Sequence, residues 1–261
     1  MGGIEPPKIG CIIATYNRPR SLMRILDNLA DQLRIDLKNK VLVGVVDDGS
    51  DVDLTGLFPP YPFEFHYLYR NRDANGLPRV YSSRNISYNL IRSCDLVLQL
   101  DDDLTFHSRL LSEMQNMSAL YHEKHWAWIA RLSDNHDRDI EAGYHRGPDG
   151  RWYDGKVQWM TAKYSDGGSA GLLLPRQTWD AIGGYDERYD GSMGAADQDL
   201  LLRIQKIGGH LMLAPYFFNI EDDETESWRE PMIERALKTG RERNEAIFER
   251  KHPNAVEWTN V

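Results

Sequence analysis

Short apolar runs alternate with amphipathic stretches through the first hundred residues, and this alternation constrains the fold more than any other feature of the sequence. Four runs have the length and composition of buried strands. They are IGCIIAT from Ile9, VLVGVV from Val41, FEFHYLY from Phe63 and DLVLQL from Asp95. After Pro19, which suits the first turn of a helix, leucines recur at helical spacing. Strands that alternate with helices in this way predict an α/β protein with parallel βαβ units in one open sheet.

The second half of the chain has a different pattern. From about Trp126, aromatic-rich segments are interrupted by Gly147-Pro148-Asp149-Gly150, a turn signal that predicts hairpins or irregular loops. A further buried strand is predicted at SAGLLLP, from Ser169. Three helices are predicted: one from Pro175 to Gly183-Gly184, one from about Ala196 to Gly208-Gly209, and a charged one from Thr225 to about Lys251.

Composition narrows the class of protein. A chain of 261 residues with 41% apolar content can bury one large core. No apolar run approaches the roughly 18 residues that span a bilayer, and the start, MGGIEPPK, lacks the apolar centre of a secretory signal. We therefore expect a soluble, cytoplasmic protein, with peripheral attachment to a membrane left open. Cys11 and Cys94 are predicted to be reduced core thiols.

Polar clusters follow three of the predicted strands. The first strand ends in ATYNRP, the second in VVDDGSD and the fourth in Asp101-Asp102-Asp103. In an open parallel sheet the ligand crevice lies outside the carboxyl ends of the strands, so these clusters should converge. Crowded carboxylates favour a hard divalent cation, which often bridges them to phosphate oxygens. The sequence therefore predicts a metal-diphosphate site, with Asp48 and Tyr16 placed to bind and stack on a nucleobase.

A basic stretch lies in a chain whose formal net charge is -9. The overall charge argues against a broad electrostatic surface for nucleic acid. The local cluster predicts a small anionic ligand, with a solvated basic face as the alternative. Its members are Arg70, Arg72, Arg79, Arg84 and Arg92.

Each cluster also has a purely structural interpretation. DDGS is a common turn composition, Tyr16 could cover a helix end, and the three aspartates could form a solvated loop or cap the following helix. The order and spacing of the clusters favour the functional interpretation.

Six segments, in family order and with family-like gaps, resemble the inverting glycosyltransferases of family two. They are CIIATYNRP, VVDDGSD, SSRNISYNLIRS, LQLDDDL, GGSAGLLLPRQTWDAIGGYDE and GAADQDLLLRI, which together cover roughly residues 9 to 210. The resemblance implies the GT-A fold, a Rossmann-like, open, twisted and mainly parallel sheet flanked by helices. It also implies a nucleotide-sugar donor, a Mg²⁺ or Mn²⁺ ion, and transfer to an acceptor hydroxyl or amine by direct displacement.

The resemblance implies roles for individual residues. Thr15, Tyr16 and Asp48 would hold the base, with Arg84 at the base or diphosphate and Asp102 near the ribose. The metal ligands would be Asp103, as the principal one, and Asp101. Strand alternation would place these two on one side and Asp102 on the other. The full predicted donor-binding set is Thr15, Tyr16, Asn17, Arg18, Asp48, Arg84, Asp101, Asp102, Gly168 and Ser169.

Asp197 is the predicted catalytic base. A carboxylate facing the anomeric carbon can take the proton of the acceptor, and a helix that starts near Ala196 would aim Asp197 inward and turn Asp199 away. The family usually has Glu-Asp where this chain has Ala196-Asp197, which leaves the acceptor type open. The alternative is that either aspartate only complements the helix dipole. A late metal ligand in the stretch Asn219-Ile220-Glu221-Asp222 is also left open.

We therefore predict a metal-dependent, single-transfer glycosyltransferase with one GT-A catalytic domain over residues 1–261. Its subregions would be 9–104 for nucleotide binding, 105–224 for the acceptor and catalysis, and 225–261 as a helical extension. The donor would be of UDP or GDP type, and the acceptor a glycan, a lipid-linked saccharide, a protein or a modified nucleobase, with oligomerisation left open. The alternatives are a sugar-nucleotide nucleotidyltransferase and a non-catalytic nucleotide-sugar-binding protein.

Overall fold

The structure is a computed structural model that describes residues 6–35, 40–52, 54–72, 76–106, 110–120, 124–132, 144–146, 152–154, 160–161, 171–192, 194–220 and 229–255. The strands are β1 (Ile9–Thr15), β2 (Val41–Asp47), β3 (Glu64–Tyr69), β4 (Leu96–Asp101), β5 (Leu104–Thr105), β6 (Trp126–Leu132), β7 (Tyr144–Arg146), β8 (Trp152–Asp154), β9 (Met160–Thr161), β10 (Gly171–Pro175) and β11 (His210–Ile220). The α-helices are α1 (Pro19–Ile35), α2 (Val80–Leu90), α3 (Leu110–Leu120), α4 (Arg176–Ile182), α5 (Ala196–Lys206) and α6 (Arg229–Lys251).

The described strands form a twisted open sheet in the order β3-β2-β1-β4-β10-β6-β11-β5, with β9 also paired to β11. The first four in this order run parallel, and Ile9 of β1 lies opposite Val41 of β2 and Leu96 of β4. Beyond β4 the pairing is mixed, because β10 runs antiparallel to both of its neighbours while β6 and β11 are parallel. The predicted α/β class is confirmed, including the change of pattern after the first half.

Helices cover both faces of the sheet, and the sheet separates two hydrophobic clusters. Ile13 of β1 packs with the leucine stripe of α1, and Ile12, which points to the opposite face, packs with α2, α4 and α5. The predicted stripe is therefore confirmed, and its members Leu22, Leu26, Leu29 and Leu33 are all buried. The alternation of faces along β1 makes its run continuously apolar, as expected for a strand with helices on both sides.

Two glycines let α2 approach the sheet closely. A Cβ at Gly10 would lie 2.4 Å from the Cδ1 atom of Ile91, and one at Gly44 would lie 2.6 Å from the carbonyl oxygen of Ser87. The Ser87 hydroxyl uses the short distance to donate to the Gly44 carbonyl at 2.6 Å. The missing Cβ atoms thus allow this helix, which carries Arg84, to lie directly on the sheet.

The hairpin predicted in the aromatic-rich segment is present, since β7 and β8 pair antiparallel. Its turn, like Gly168, Ser169, Glu221 and Asp222, lies outside the described residues. Among the helices that the structure describes, none combines the length and apolar character needed to cross a membrane.

The C-terminal helix α6 packs on the core. The Asn244 side chain is fully buried and donates to the carbonyls of Tyr189 and Gly194 at 3.1 and 3.4 Å. Arg243 donates to the Asp190 carbonyl at 2.5 Å. The helix therefore fixes the backbone of the segment that leads from α4 to α5.

Asp199 differs from the expectation that it is turned away from the protein interior. Its side chain is completely buried and binds Arg203 at 2.8 Å, Lys251 at 2.6 Å and His252 at 2.8 Å. Burial disfavours the charged form, but these three partners outweigh it and lower the pKa of Asp199. The carboxylate thus joins α5 to the end of α6, a contact that the local sequence pattern does not reveal.

His252 is buried between two charged groups. Its Nδ1 atom lies 2.6 Å from the Lys206 ammonium, a donor, while Nε2 lies 2.8 Å from Asp199. Nδ1 therefore acts as an acceptor, and the neutral ring carries its proton on Nε2. Burial lowers the pKa of His252, with Lys206 adding to the shift and Asp199 opposing it.

This environment predicts acid sensitivity of the α6 contact. Because the folded pKa lies below the ordinary value of about 6.5, the site contributes fully above that pH and loses its contribution as pH falls toward the folded pKa. The loss of melting temperature between about pH 7.5 and about pH 5.5 should be larger for the wild type than for His252→Gln. His66→Gln, on the partly exposed edge strand β3, is the control and should follow the wild type. Equal slopes for His252→Gln and the wild type would contradict this assignment.

Candidate functional site

The carboxyl ends of β1, β2 and β4 meet at one edge of the sheet. The backbone amide of Asp48 donates to the carbonyl of Thr15 at 2.9 Å. The Thr15 hydroxyl donates to Asp102 at 2.7 Å. All three side chains are buried. The structure thus brings together residues from the three strand ends whose convergence the sequence predicts.

Arg18 binds two of the three consecutive aspartates. Its Nη1 atom donates to Asp102 at 3.0 Å and to Asp103 at 2.6 Å, and all three side chains are at least nine-tenths buried. The expected separation of Asp102 from Asp103 is wrong, because both contact Arg18. Strand β4 ends at Asp101, and the next two residues turn toward β5 and share one guanidinium.

Arg84 is the central cation of the cleft. It projects from α2, donates to Asp101 and lies 3.8 Å from Asp197. Burial disfavours its charged form, but Tyr185, Asp101 and Asp197 outweigh this effect and raise the pKa of Arg84. The guanidinium therefore stays charged and joins a carboxylate of β4 to one of α5.

The cluster contains three consecutive aspartates, and two arginines, Arg18 and Arg84, contact them. Burial raises the pKa of Asp101 to about 7, with Arg84 opposing the shift and the carboxylates of Asp103 and Asp197 adding to it. Burial likewise raises the pKa of Asp102 to about 6, against the effect of Arg18. Crowded hard oxygens of this kind are suitable ligands for a divalent cation.

The described residues supply only part of a metal shell. Within the described ranges, no group of three His, Cys, Asp or Glu side chains is arranged to hold an ion. Asp101 and Asp103, the two predicted ligands, contact Arg84 and Arg18 respectively. Mg²⁺ and its relatives are commonly bound by one or two carboxylates together with substrate phosphates and water, so the residues fit a substrate-assisted site.

Three arginines contact Tyr16 and Asp48, the residues predicted to bind the nucleobase. The guanidinium of Arg72 covers the ring of Tyr16 at 3.9 Å from its centroid. Asp48 accepts hydrogen bonds from the backbone amide of Arg79 at 2.7 Å and from its Nε at 2.9 Å, and Arg70 lies at 3.6 Å. Burial raises the pKa of Asp48, while Arg79 opposes the shift.

The predicted basic stretch therefore divides in two. Arg70, Arg72, Arg79 and Arg84 all contact residues at the strand ends, whereas Arg92 lies over the ring of Tyr88 at 5.8 Å. For the first four, the solvated basic face is excluded.

Asn17 links two loops of the site. It has a left-handed backbone, with φ of 51°, and its amide N–H donates to the Ser50 hydroxyl at 2.8 Å. Its side chain donates to Asp51 at 2.9 Å and accepts from the Asp51 backbone at 2.7 Å. The polar groups of Asn17 therefore hold the end of β1 against the turn after β2.

The two aspartates of the DDGS segment have different tasks. Asp47 accepts from the backbone amides of Gly49 and Ser50 at 3.0 and 2.8 Å and from the Tyr67 hydroxyl at 2.8 Å. It builds the turn, while the adjacent Asp48 lies in the cleft. The structural interpretation of this segment is therefore correct for Asp47, whereas Asp48 contacts Arg79 and Arg70.

Two further residues, which the sequence analysis does not identify, hold α2 in place. Asp190 accepts from the backbone amides of Tyr81 and Ser82 at 2.9 and 3.3 Å, which caps the start of the helix. Asn85 forms a pair of 2.9 Å hydrogen bonds with the backbone of Tyr185. Both contacts join residues about a hundred positions apart, so no local pattern could indicate them.

Asp197 lies in the first turn of α5, at the edge of the same cleft. Its Oδ1 atom accepts from the Tyr185 hydroxyl at 2.8 Å, and its side chain is 28% exposed. The structure therefore places the predicted base beside the predicted donor residues while leaving it accessible. The sequence does not indicate a role for Tyr185. The segment GGYDE, which contains it, only ends one of the six family-like segments.

No protein-family model and no curated protein sequence matches the chain. Solved structures do match. S. aureus TarS 1-349 in complex with UDP-GlcNAc is similar with a TM-score of 0.57 and 14% identity, over 84% of this chain and 60% of that one. GalNAc-T7 with UDP, GalNAc and Mn²⁺ is similar with a TM-score of 0.61 and 11% identity, over 97% of this chain and 52% of that one.

The chain therefore spans about three fifths of the TarS 1-349 chain and about half of the GalNAc-T7 chain. At these identities the likeness establishes the architecture. The parallel half of the sheet, the mixed half and the flanking helices together are the GT-A fold.

Proposed function

We propose that this protein is a family-two glycosyltransferase that moves one sugar from a nucleoside diphosphate to an acceptor hydroxyl or amine, with inversion. One observation carries the proposal: the buried guanidinium of Arg84 donates to Asp101 and lies 3.8 Å from Asp197. It joins the end of a donor-side strand to a partly exposed carboxylate on a different helix. Direct displacement needs this arrangement, with a site for the leaving group next to a proton acceptor.

The arginines suit a diphosphate leaving group. Departure of a nucleoside diphosphate accumulates negative charge, which fixed cations stabilise best in a cleft that excludes water. Arg18 and Arg84 are both buried and held in place by carboxylates before any ligand binds. Such preorganised groups need little rearrangement during the reaction.

Asp101 and Asp103 would hold a Mn²⁺ or Mg²⁺ ion, which when bound would neutralise charge on the diphosphate. The GalNAc-T7 structure contains Mn²⁺, which supports a divalent metal here. Burial raises the pKa of Asp101 to about 7, and the neighbouring carboxylates of Asp103 and Asp197 add to the shift. This crowding supports a metal further, since a cation would relieve the repulsion.

The nucleobase would bind between Tyr16 and Asp48, with Thr15 fixing the loop between them. UDP or a UDP-sugar is present in the similar TarS and GalNAc-T7 structures, which supports a UDP-type donor over a GDP-type one. The acceptor contact usual at position 196 is absent, because Ala196 is buried in the core and carries no carboxylate. Asn17 would support this end of the site through its loop contacts.

The first experiment is donor turnover. Purified protein with Mn²⁺ and UDP-sugars, and then GDP-sugars, should release the nucleoside diphosphate. Release of pyrophosphate from a nucleoside triphosphate supplied together with a sugar 1-phosphate would instead indicate a nucleotidyltransferase. Donor binding without any release, seen as a raised melting temperature alone, would indicate a binding protein.

Asp103→Asn tests the metal assignment. Removing one of the two ligand carboxylates should weaken the Mn²⁺-dependent part of UDP binding by about tenfold or more. Isothermal titration calorimetry with and without Mn²⁺ measures this part directly. Asp31→Asn, on the exposed side of α1, is the matched loss of a carboxylate and should bind like the wild type. Unchanged Mn²⁺-dependent affinity in Asp103→Asn would refute the assignment.

Asp197→Asn tests the assignment of the base. The change removes the proton acceptor but leaves the diphosphate contacts, so transfer should fall by about 100-fold or more while donor affinity persists. Steady-state transfer rates and calorimetry on the same preparation separate the two effects. Near-normal turnover would exclude Asp197 as the base.

A further inference from the structure

Tyr185 stands directly behind the carboxylate of Asp197. Its side chain is buried, and its hydroxyl lies 2.8 Å from Oδ1 of Asp197. The same hydroxyl lies against the Oε1 atom of Gln99, two residues before the end of β4. A phenol has one proton, so the hydroxyl donates to either Gln99 or Asp197 at any moment, and the role inferred below requires the proton to point to Asp197. The phenol therefore connects the central strand to the first turn of α5.

The position of the ring is fixed on all sides. The rings of Tyr81 and Trp179 lie 5.3 and 5.9 Å away, and the guanidinium of Arg84 lies 5.3 Å from the ring centroid. Asn85 holds the backbone of Tyr185 through two hydrogen bonds of 2.9 Å. The phenol thus has little freedom to follow a movement of Asp197.

Gly184 makes this close contact possible. It adopts a left-handed backbone with φ of +69°, and a Cβ there would lie 2.5 Å from the Oδ1 atom of Asn85. Any side chain would push Asn85 away from the backbone of Tyr185. The Gly-Tyr pair in the GGYDE segment is therefore a local condition for placing the hydroxyl.

The two contacts of Asp197 fall on the same oxygen. Tyr185 donates to Oδ1 at 2.8 Å, and Nη1 of Arg84 lies 3.8 Å from the same atom. Among the residues that the structure describes, none forms a hydrogen bond or an ion pair with Oδ2 of Asp197. The side chain is partly exposed. The carboxylate is thus held by one oxygen and presents the other.

We propose that Tyr185 is a positioning residue that holds Oδ1 of Asp197, so that Oδ2 takes the proton of the acceptor; this rests on the proposed transferase function. The acceptor oxygen or nitrogen forms its bond to the anomeric carbon as the bond from that carbon to the diphosphate breaks. The electron pair of the broken bond leaves with the diphosphate, and the acceptor's proton moves to Oδ2. Tyr185 keeps its own proton throughout and never touches the substrate.

The hydrogen bond from Tyr185 orients the carboxylate of Asp197. A donor on Oδ1 limits rotation of the carboxylate, so Oδ2 keeps one orientation. Nη1 of Arg84 also donates to the Tyr185 hydroxyl, at 3.4 Å, but the contact of Arg84 with Asp101 is shorter. Donor binding would therefore persist without the hydroxyl, because Arg84 keeps Asp101, Arg18 keeps Asp103 and Arg79 keeps Asp48.

Tyr185→Phe is the test, with Tyr189→Phe as the matched control. Both remove one buried hydroxyl from the same segment, but the Tyr189 hydroxyl has no hydrogen-bond partner among the described residues. Tyr185→Phe should lower kcat by about 10- to 100-fold with the donor KM unchanged, whereas Tyr189→Phe should behave like the wild type. A wild-type kcat in Tyr185→Phe would overturn the inference, and so would an equal loss in kcat and in donor affinity.

The outcomes separate this inference from the proposed function. A wild-type protein that turns over no donor refutes the transferase itself, whereas an active wild type with an equally active Tyr185→Phe refutes only the role of Tyr185.

A second measurement does not depend on the folding of Tyr185→Phe. In protein labelled at the ring Cζ carbon of its thirteen tyrosines, Asp197→Ala should displace the carbon NMR signal of the tyrosine that donates to Asp197. Asp31→Ala, the exposed control, should displace none. If all tyrosine signals of Asp197→Ala stay in place, the contact is absent and the inference fails.

Discussion

The site depends on the burial of one guanidinium between carboxylates that come from different parts of the chain. Arg84 reaches Asp101 at the end of β4 and approaches Asp197 at the start of α5. Taking this cation out of water is costly unless its anionic partners stay in place. The charge on Arg84 therefore ties the end of β4 to the first turn of α5.

Helix α2 connects this interaction to the rest of the protein. Glycines in β1 and β2 let it lie directly on the sheet, Asp190 caps its start, and Asn85 holds the backbone of Tyr185. The C-terminal helix then secures the segment around Asp190 through Arg243. Loss of any of these contacts would move Arg84 or Asp197 without touching either, which explains why the site needs structure far from the cleft.

The local sequence pattern was sufficient to predict an element where the cause of its structure lies within that element. The leucine stripe of α1 and the apolar runs of β1 and β2 are as predicted, because burial on a helix or strand follows the period of the element. Local pattern failed where an element ended. Alternation predicted that Asp102 and Asp103 point to opposite sides, but β4 stops at Asp101 and both contact Arg18. Helical spacing did not reveal that Asp199 faces α6.

The sequence by itself determined the open α/β sheet, the position of polar residues at three strand ends and the identity of the charged groups in the cleft. Tertiary structure alone decided which carboxylate pairs with which arginine, that Asp47 builds a turn while Asp48 faces the cleft, and that Tyr185 reaches Asp197. The physical reason is that periodicity states which face of an element a side chain occupies. The partner on that face comes from an element many residues away, and only the packing of the two elements brings the pair together.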